Sequence, residues 1–244
     1  MRLYGEWPRY ASEGTDGIVV AMRVLLLLLA LLLGSCTTTH TPITITEEEA
    51  QEALLEVLHL ASQGMDTAAL ASLPLSVLLG EERAHLTDRT DVPLMEQRLA
   101  TWQAEVNDAY LLAGRALAGE FAPLLEHLTI PNAQQVVQSK QISATSIFKA
   151  QASAELAPKA EALLRPALEE SQAVWRTLSG RYEIWRRSRI ILADGALPPL
   201  SDDPFDHLLA LFIDGFLASL EKEEMLLRTT PVVKGSGSIL EVFQ

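Results

Sequence analysis

The segment from Asp203 to Glu221 limits the possible folds more than any other part of this 244-residue chain. The pair Asp203-Pro204 opens it, and this combination favours the start of a helix. Most of a helical circumference is then apolar, through Phe205, Leu208, Leu209, Leu211, Phe212, Ile213, Phe216, Leu217 and Leu220. A helix of this kind has to be buried among neighbours. We therefore predict a compact multi-helix domain built around a hydrophobic C-terminal helix of about residues 204–228.

Helical patterns also cover the chain before this segment, and no strand-type alternation appears. Thr46 followed by Glu49 predicts a capping box at the start of a helix, and Gly64 predicts its left-handed stop. A long helix is predicted from Leu94, and residues 65–93 read as a loop with a short helical piece. We therefore predict an all-α fold, with residues 47–244 as a single domain.

The middle of the chain is predicted to contain several shorter helices. Residues 142–152 form one candidate, and a second runs from Ser153 to about Leu178 with a kink at Pro166. Gly180 is expected to end it, before a further helix over residues 181–192. Near the C-terminus, Glu224 and Arg228 stand four residues apart, which predicts an ion pair on the surface of the helix.

A second apolar segment, MRVLLLLLALLLGSC, covers Met22–Cys36. Arg23 precedes the apolar run Val24–Leu33, and Gly34 and Ser35 precede the only cysteine of the chain. This run is shorter than the roughly 20 residues that span a bilayer, whereas its order of charge, apolar run and small residues is typical of a secretory signal. Because it ends on cysteine, it resembles the lipobox of bacterial lipoproteins, in which that cysteine is acylated and becomes the N-terminus.

We therefore predict that residues 1–35 are a signal segment and that residues 36–46 are a lipidated Cys36 followed by a polar tether. Met22 is the predicted start of translation, because the acids Glu6, Glu13 and Asp16 lie upstream of it and signals avoid acids before the apolar run.

These features predict a protein of the cell envelope that is anchored to the membrane through acyl chains on Cys36 and faces the periplasm. In a Gram-negative host, Thr37 after the cysteine favours the outer membrane.

Composition and motifs exclude several classes of function. The net charge of −13 argues against binding to nucleic acid, because phosphate backbones would be repelled. No HExxH, phosphate loop or GxSxG is present. The five histidines are His40, His59, His85, His127 and His207, and no two of them are four residues apart, as ligands on one helical face would be. From the histidine spacing and the missing motifs we predict no metal site, no cofactor and no catalytic residue.

One basic patch interrupts this acidic chain. Its arginines alternate with aromatic residues, and the candidate contact residues are Arg181, Trp185, Arg186, Arg187 and Arg189, with Arg176, Trp175 and Tyr182 nearby. Arginine beside amphipathic aromatic rings is typical of surfaces that meet lipid headgroups, anionic glycans or an acidic protein. The alternative is that the aromatic rings belong to the core and the arginines are ordinary surface charge.

Three functions are therefore open. The first is an interaction or scaffold module at the cell envelope, with an envelope protein or an anionic lipid as partner. The second is a carrier that binds an apolar ligand between helices, and the third is a hydrolase without a recognisable motif. A carrier requires a continuous apolar cavity, and an enzyme requires a cleft with clustered polar side chains.

The order of several motifs resembles one bacterial family. They are VPLMEQRLATW (Val92–Trp102), VNDAYLLAGRALAGEF (Val106–Phe121), LTIPNAQQVVQ (Leu128–Gln138), LALFIDGFLASLEKEE (Leu209–Glu224), Arg228 and the closing LEVFQ. The chain is similar in these stretches to the family named domain of unknown function 4197, many members of which have lipoprotein signals. It departs from that family at Val233–Ser238, where a Gly/Ser joint stands, and at Val106-Asn107, where Met-Asn is usual. The resemblance implies a helical fold and transfers no catalytic residue.

Overall fold

The structure is a computed structural model that describes residues 45–82, 86, 92, 94–139, 141–190, 198–231 and 238–243. Within these residues all regular structure is helical and there is no strand, so the all-α prediction is confirmed. Residues 45–244 form one compact unit. The predicted signal segment, Cys36 and the tether up to residue 44 lie outside the described residues. No helix in the described part of the chain is long and apolar enough to cross a membrane.

The helices are numbered in chain order. They are α1 (Glu47–Gly64), α2 (Leu75–Leu78), α3 (Met95–Gly119), α4 (Ala122–Leu125), α5 (Ala133–Gln138), α6 (Ala144–Ala167), α7 (Glu169–Ile190) and α8 (Phe205–Thr229). Three short 3-10 helices cover Thr67–Ala71, Gly80–Glu82 and Ile239–Phe243.

Helix α8 is the central element, as its apolar pattern predicts. Phe212, Phe216 and Leu220 are completely buried, and the helix packs against α1 on one side and α6 on another. The C-terminal 3-10 helix lies against α8 and α1, where Val242 and Phe243 cover the edge of the core. Burial of several large apolar side chains on one helix provides most of the driving force for this arrangement.

Helix α3 is the second organising element and packs against α6, α7 and the 3-10 helix Thr67–Ala71. Its Tyr110 is completely buried, with the ring 5.4 Å from that of Phe212, and its hydroxyl donates a 2.6 Å hydrogen bond to the backbone carbonyl of Leu208. Burial raises the pKa of Tyr110 above its usual range. The phenol therefore acts as a neutral hydrogen-bond donor that joins α3 to α8.

Two glycines allow a leucine to fit between α3 and α8. A Cβ atom at Gly114 of α3 would lie 2.7 Å from Cδ1 of Leu70, and one at Gly215 of α8 would lie 3.2 Å from Cδ2 of the same side chain. Leu70 belongs to the 3-10 helix Thr67–Ala71 and is almost fully buried. The glycine that weakens α3 by propensity is therefore needed for close packing.

Helix α1 begins as predicted and ends differently. The hydroxyl of Thr46 accepts a hydrogen bond from the Glu49 amide, and the Glu49 carboxylate accepts one from the Thr46 amide, so the capping box is confirmed. The prediction of a left-handed stop at Gly64 is wrong. Gly64 is the last helical residue, and Met65 follows in an extended conformation with its side chain buried.

The predicted boundaries between residues 142 and 192 are also wrong. One helix, α6, replaces the two candidates that met at Ser153. Pro158 lies inside it and removes one backbone hydrogen bond, but because Pro158 is exposed, the carbonyl that loses this bond is accessible to water. The break that was expected at Gly180 occurs at Leu168, two residues after Pro166, whose nitrogen has no hydrogen to donate to the helix. Gly180 lies inside α7, because buried Leu178 and Tyr182 hold both of its flanks against the core.

Candidate functional site

The arginine–aromatic patch lies at the C-terminal end of α7. Tyr182 is buried and its hydroxyl donates to the carbonyl of Pro198, while Trp185 is half-buried with its ring 5.7 Å from that of Tyr182. The aromatic rings therefore belong to the core and its edge. Arg181 is exposed and 75% of the Arg187 side chain is exposed, so these two guanidinium groups project from the same end of the helix. Arg189 is part of α7, and its side chain lies outside the described residues.

Glu183 holds two of these arginines. Its carboxylate accepts 2.7 Å and 2.9 Å hydrogen bonds from Nε and Nη2 of Arg186 and a 2.7 Å hydrogen bond from Nε of Arg187. The hydrogen bonds from Arg186, followed by those from Arg187, lower the pKa of Glu183 to about 2. The same bidentate contact raises the pKa of Arg186. Only 17% of the Arg186 side chain is exposed, so this arginine is mainly a partner of Glu183.

The exposed surface at the C-terminal end of α7 combines positive charge with one large apolar side chain. Arg181, Ile184 and Arg187 follow one another at intervals of three residues, which places them along one face of α7. Ile184 is 69% exposed. Residues 176–190 contain five arginines and one glutamate, so this end of the helix has a net charge of +4 in a chain of net charge −13. We call Arg181, Ile184 and Arg187 the α7 surface.

A groove of opposite charge runs along α1 and has a volume of about 860 Å³. Its apolar floor consists of Leu55 of α1 with Ala122 and Leu125 of α4. Neither lysine nor arginine lines the groove. Its rim is formed by four glutamates of α1 and by the residue that follows α4: Glu47, Glu48, Glu52, Glu56 and Glu126. We call this feature the α1–α4 groove.

His59 lies at the end of the groove that is nearest the C-terminus of α1. Its Nε2 is 2.9 Å from Nε2 of Gln63, while its Nδ1 is buried without a hydrogen-bond partner. Among the histidines of the described part, His207 contacts the carbonyl of Val77, and His127 is exposed. His40 and His85 lie outside the described residues. No group of three or more His, Cys, Asp or Glu in the described ranges is arranged to hold a metal ion.

Glu224 and Arg228 form a buried ion pair, which corrects the prediction of a surface pair. Glu224 is completely buried and Arg228 is 6% exposed. The Glu224 carboxylate accepts hydrogen bonds from the amides of Ala144 and Thr145 at 2.8 Å and 2.9 Å, and from the Thr145 hydroxyl at 2.7 Å. It therefore caps the N-terminus of α6, where the helix dipole favours a negative charge. Every oxygen of this carboxylate has partners within the fold, so the pair is structural.

Comparisons of the chain with known protein families, with curated proteins and with solved structures find no match. The assignment of function therefore depends on the surfaces described above.

The α1–α4 groove was not predicted from the sequence. Its only sequence signal is the repeat of Glu48, Glu52 and Glu56 at intervals of four residues, which places three carboxylates on one face of α1. The apolar wall from α4 is 70 residues away along the chain, so no local pattern connects Glu52 with Ala122.

Proposed function

We propose that the chain is an exported helical protein, anchored by lipid on Cys36, that acts as an interaction module at the cell envelope. The order of charge, apolar run and small residues before Cys36 supports the anchor. Several acyl chains on Cys36 would hold the protein firmly at the membrane, since a single acyl chain binds only marginally. The resemblance to domain of unknown function 4197 is likewise a proposal, and it assigns no catalytic residue.

The α7 surface is the observation that carries this function. Arg181 and Arg187 flank the exposed Ile184, and this composition is typical of a helix face that lies at a membrane interface. The guanidinium groups would meet anionic headgroups, and the isoleucine would enter the boundary of the acyl chains. We therefore propose that the anchored domain rests on the anionic membrane surface through α7. An acidic envelope protein is the alternative partner for the same charges.

The anchor is tested in cells with the full chain. Wild type and Cys36→Ser are labelled metabolically with a fatty acid, and membrane and soluble fractions are compared. We expect label and membrane retention in wild type, and loss of the label in the serine variant. Equal labelling of both proteins would contradict the anchor.

The α7 surface is tested without the anchor, on residues 45–244, after circular dichroism has shown that this fragment is helical. Retention is measured on vesicles of phosphatidylcholine with phosphatidylglycerol and on vesicles of phosphatidylcholine alone. Arg181→Ser/Arg187→Ser should lower retention on the anionic vesicles by about fivefold for each arginine, and added salt should lower retention of the parent fragment.

The matched control is Arg115→Ser/Lys222→Ser, which removes two exposed cations from α3 and α8 and gives the same net charge. It should retain the binding of the parent fragment. If both double variants lose binding equally, or if the fragment shows no salt-sensitive retention, the α7 surface is not a membrane contact. Binding to an acidic protein without binding to vesicles would favour the alternative partner.

A further inference from the structure

The α1–α4 groove has more negative charge than the fold requires. Glu47 accepts hydrogen bonds from the amides of Ala133 and Gln134, and Glu49 completes the capping box, so these two carboxylates stabilise helix N-termini. Glu52 and Glu56 lie beyond the first turn of α1, where the helix dipole no longer favours a negative charge.

Three carboxylates of the rim, all on α1, have no cationic partner in the part of the chain that the structure describes. Among the described residues, no lysine or arginine forms an ion pair with Glu48, Glu52 or Glu56. Like charges four residues apart on a helix repel one another, so this row weakens α1 by a small amount. Glu48 lies in the first turn of α1, where the helix dipole favours a negative charge, so folding stability gives no reason only for Glu52 and Glu56.

The floor of the groove is apolar. Leu55 is half-buried and Ala122 is exposed, so carbon surface remains accessible to solvent beside the glutamates of α1. An apolar floor with charged edges is the arrangement with which grooves bind amphipathic helices. The carboxylates of Glu48, Glu52 and Glu56 repeat about every 6 Å along α1, which is the distance covered by four residues of a helix.

We propose that the α1–α4 groove is a docking site for a cationic amphipathic helix of a partner protein. Leucine-type side chains of that helix, three or four residues apart, cover Leu55 and Ala122. Lysine or arginine side chains at four-residue intervals pair with Glu48, Glu52 and Glu56. A segment of about three turns matches the length of the carboxylate row. This interaction goes beyond the proposed membrane contact and depends on neither Cys36 nor the α7 surface.

The test uses the full chain in phosphatidylcholine nanodiscs, with empty nanodiscs as background. The probe is a fluorescent amphipathic peptide of leucine and lysine, and its binding is measured by anisotropy at low and at high salt. A peptide of the same composition in scrambled order loses the apolar face and serves as the comparison. We expect salt-sensitive binding of the amphipathic peptide and at least roughly fivefold weaker binding of the scrambled one.

Two variants locate the binding. Glu52→Gln/Glu56→Gln removes two charges from the rim and should weaken binding about five- to tenfold. Ala122→Lys places a cation in the groove from an exposed position and should abolish binding. The matched control is Glu155→Gln/Glu170→Gln, which makes the same change in net charge at exposed positions of α6 and α7 and should change the affinity less than about twofold.

Circular dichroism spectra should be the same for all variants, and a photo-crosslinker on the peptide should label α1 and α4. Equal weakening by the two glutamine pairs would assign the binding to overall charge and would overturn the proposal. Absence of peptide binding at low salt, or crosslinks confined to other helices, would overturn it as well.

Discussion

Arg228 donates a hydrogen bond to Glu224 across one turn of α8, with Nη1 and Oε1 3.1 Å apart and both side chains buried. The same guanidinium group donates to the carbonyls of Ser139 at 2.7 Å and Ile142 at 2.9 Å, and also to that of Val136. The pair therefore fixes the connection between α5 and α6 against the C-terminal part of α8. Its burial is compensated by these additional hydrogen bonds, as a buried ion pair requires.

Arg228→Met should be strongly destabilising. It removes the cation and leaves the Glu224 carboxylate buried without its charge partner, which typically costs about 3–5 kcal/mol. Urea unfolding followed by circular dichroism measures the change. The control is Lys149→Met, because Lys149 pairs with Asp214 at 2.9 Å with side chains that are 57% and 68% exposed, and such pairs contribute about 0–1 kcal/mol.

A double replacement, Glu224→Leu/Arg228→Met, should not restore stability. Apolar replacement of a buried ion pair is often neutral, but here Glu224 also accepts from the amides of Ala144 and Thr145. Without the carboxylate these buried donors have no partner. A double variant as stable as wild type would show that the ion pair, rather than the cap of α6, is the main role of Glu224.

The carboxyl group of Glu183 should titrate near pH 2. Hydrogen bonds from Arg186 and Arg187 lower its pKa from an ordinary value of 4.5 to about 2. Because the pKa is lower in the folded state, the contribution of this group to stability is present above the ordinary pKa and is lost as the pH falls from about 4.5 to about 2.

NMR of the Glu183 side-chain carbon measures this midpoint. Arg186→Gln/Arg187→Gln should return it towards the ordinary value, because both donors are lost. Glu183→Gln should remove this part of the acid dependence of unfolding. An ordinary midpoint in wild type would mean that the two arginines do not hold Glu183 in solution.

The elements that could be predicted from sequence are those whose signal is local and strong. The nearly continuous apolar surface of residues 205–220 predicts α8, and the reciprocal contacts of Thr46 and Glu49 follow from their spacing. The break between α6 and α7 was misplaced because Gly180 is a stronger breaker by propensity than Leu168. Packing of Leu178 and Tyr182 decides the outcome in favour of a continuous α7.

The candidate sites could not be fully predicted from the sequence, because they depend on contacts between residues that are far apart in the chain. The spacing of Glu224 and Arg228 shows that they can pair, but their burial depends on residues 139–145, which are about 80 positions earlier in the chain. In the arginine patch the sequence identifies the charges. Only the structure shows that Glu183 binds both Arg186 and Arg187, and that the side chains of Arg181 and Arg187 are exposed. The α1–α4 groove likewise exists only once α4 lies beside α1.

Phe212→Asp should be among the most damaging single substitutions. Phe212 is completely buried on α8 and contacts the ring of Tyr110, so aspartate would place an unpaired charge in the core. We expect a loss of at least about 4 kcal/mol, seen as failure to fold or as a large shift of the urea midpoint. Ala218→Asp, at an exposed position of the same helix, should change stability by less than about 1 kcal/mol. A stable Phe212→Asp variant would contradict the central position of α8.

The two glycines of α3 should respond in opposite directions to alanine. Gly119→Ala meets no atom within 4 Å and should stabilise the protein by up to about 1 kcal/mol, because alanine favours the helix. Gly114→Ala gains the same propensity, but its Cβ would lie 2.7 Å from Cδ1 of Leu70, which is almost fully buried. Leu70 would have to move against α8, where Gly215 also contacts it, and such overpacking costs about 1–3 kcal/mol. Urea unfolding of both variants measures the difference, and Leu70→Ala should relieve the cost at Gly114 while leaving the effect at Gly119 unchanged. If both alanines were equally stabilising, the close approach of Leu70 to α3 would be incorrect.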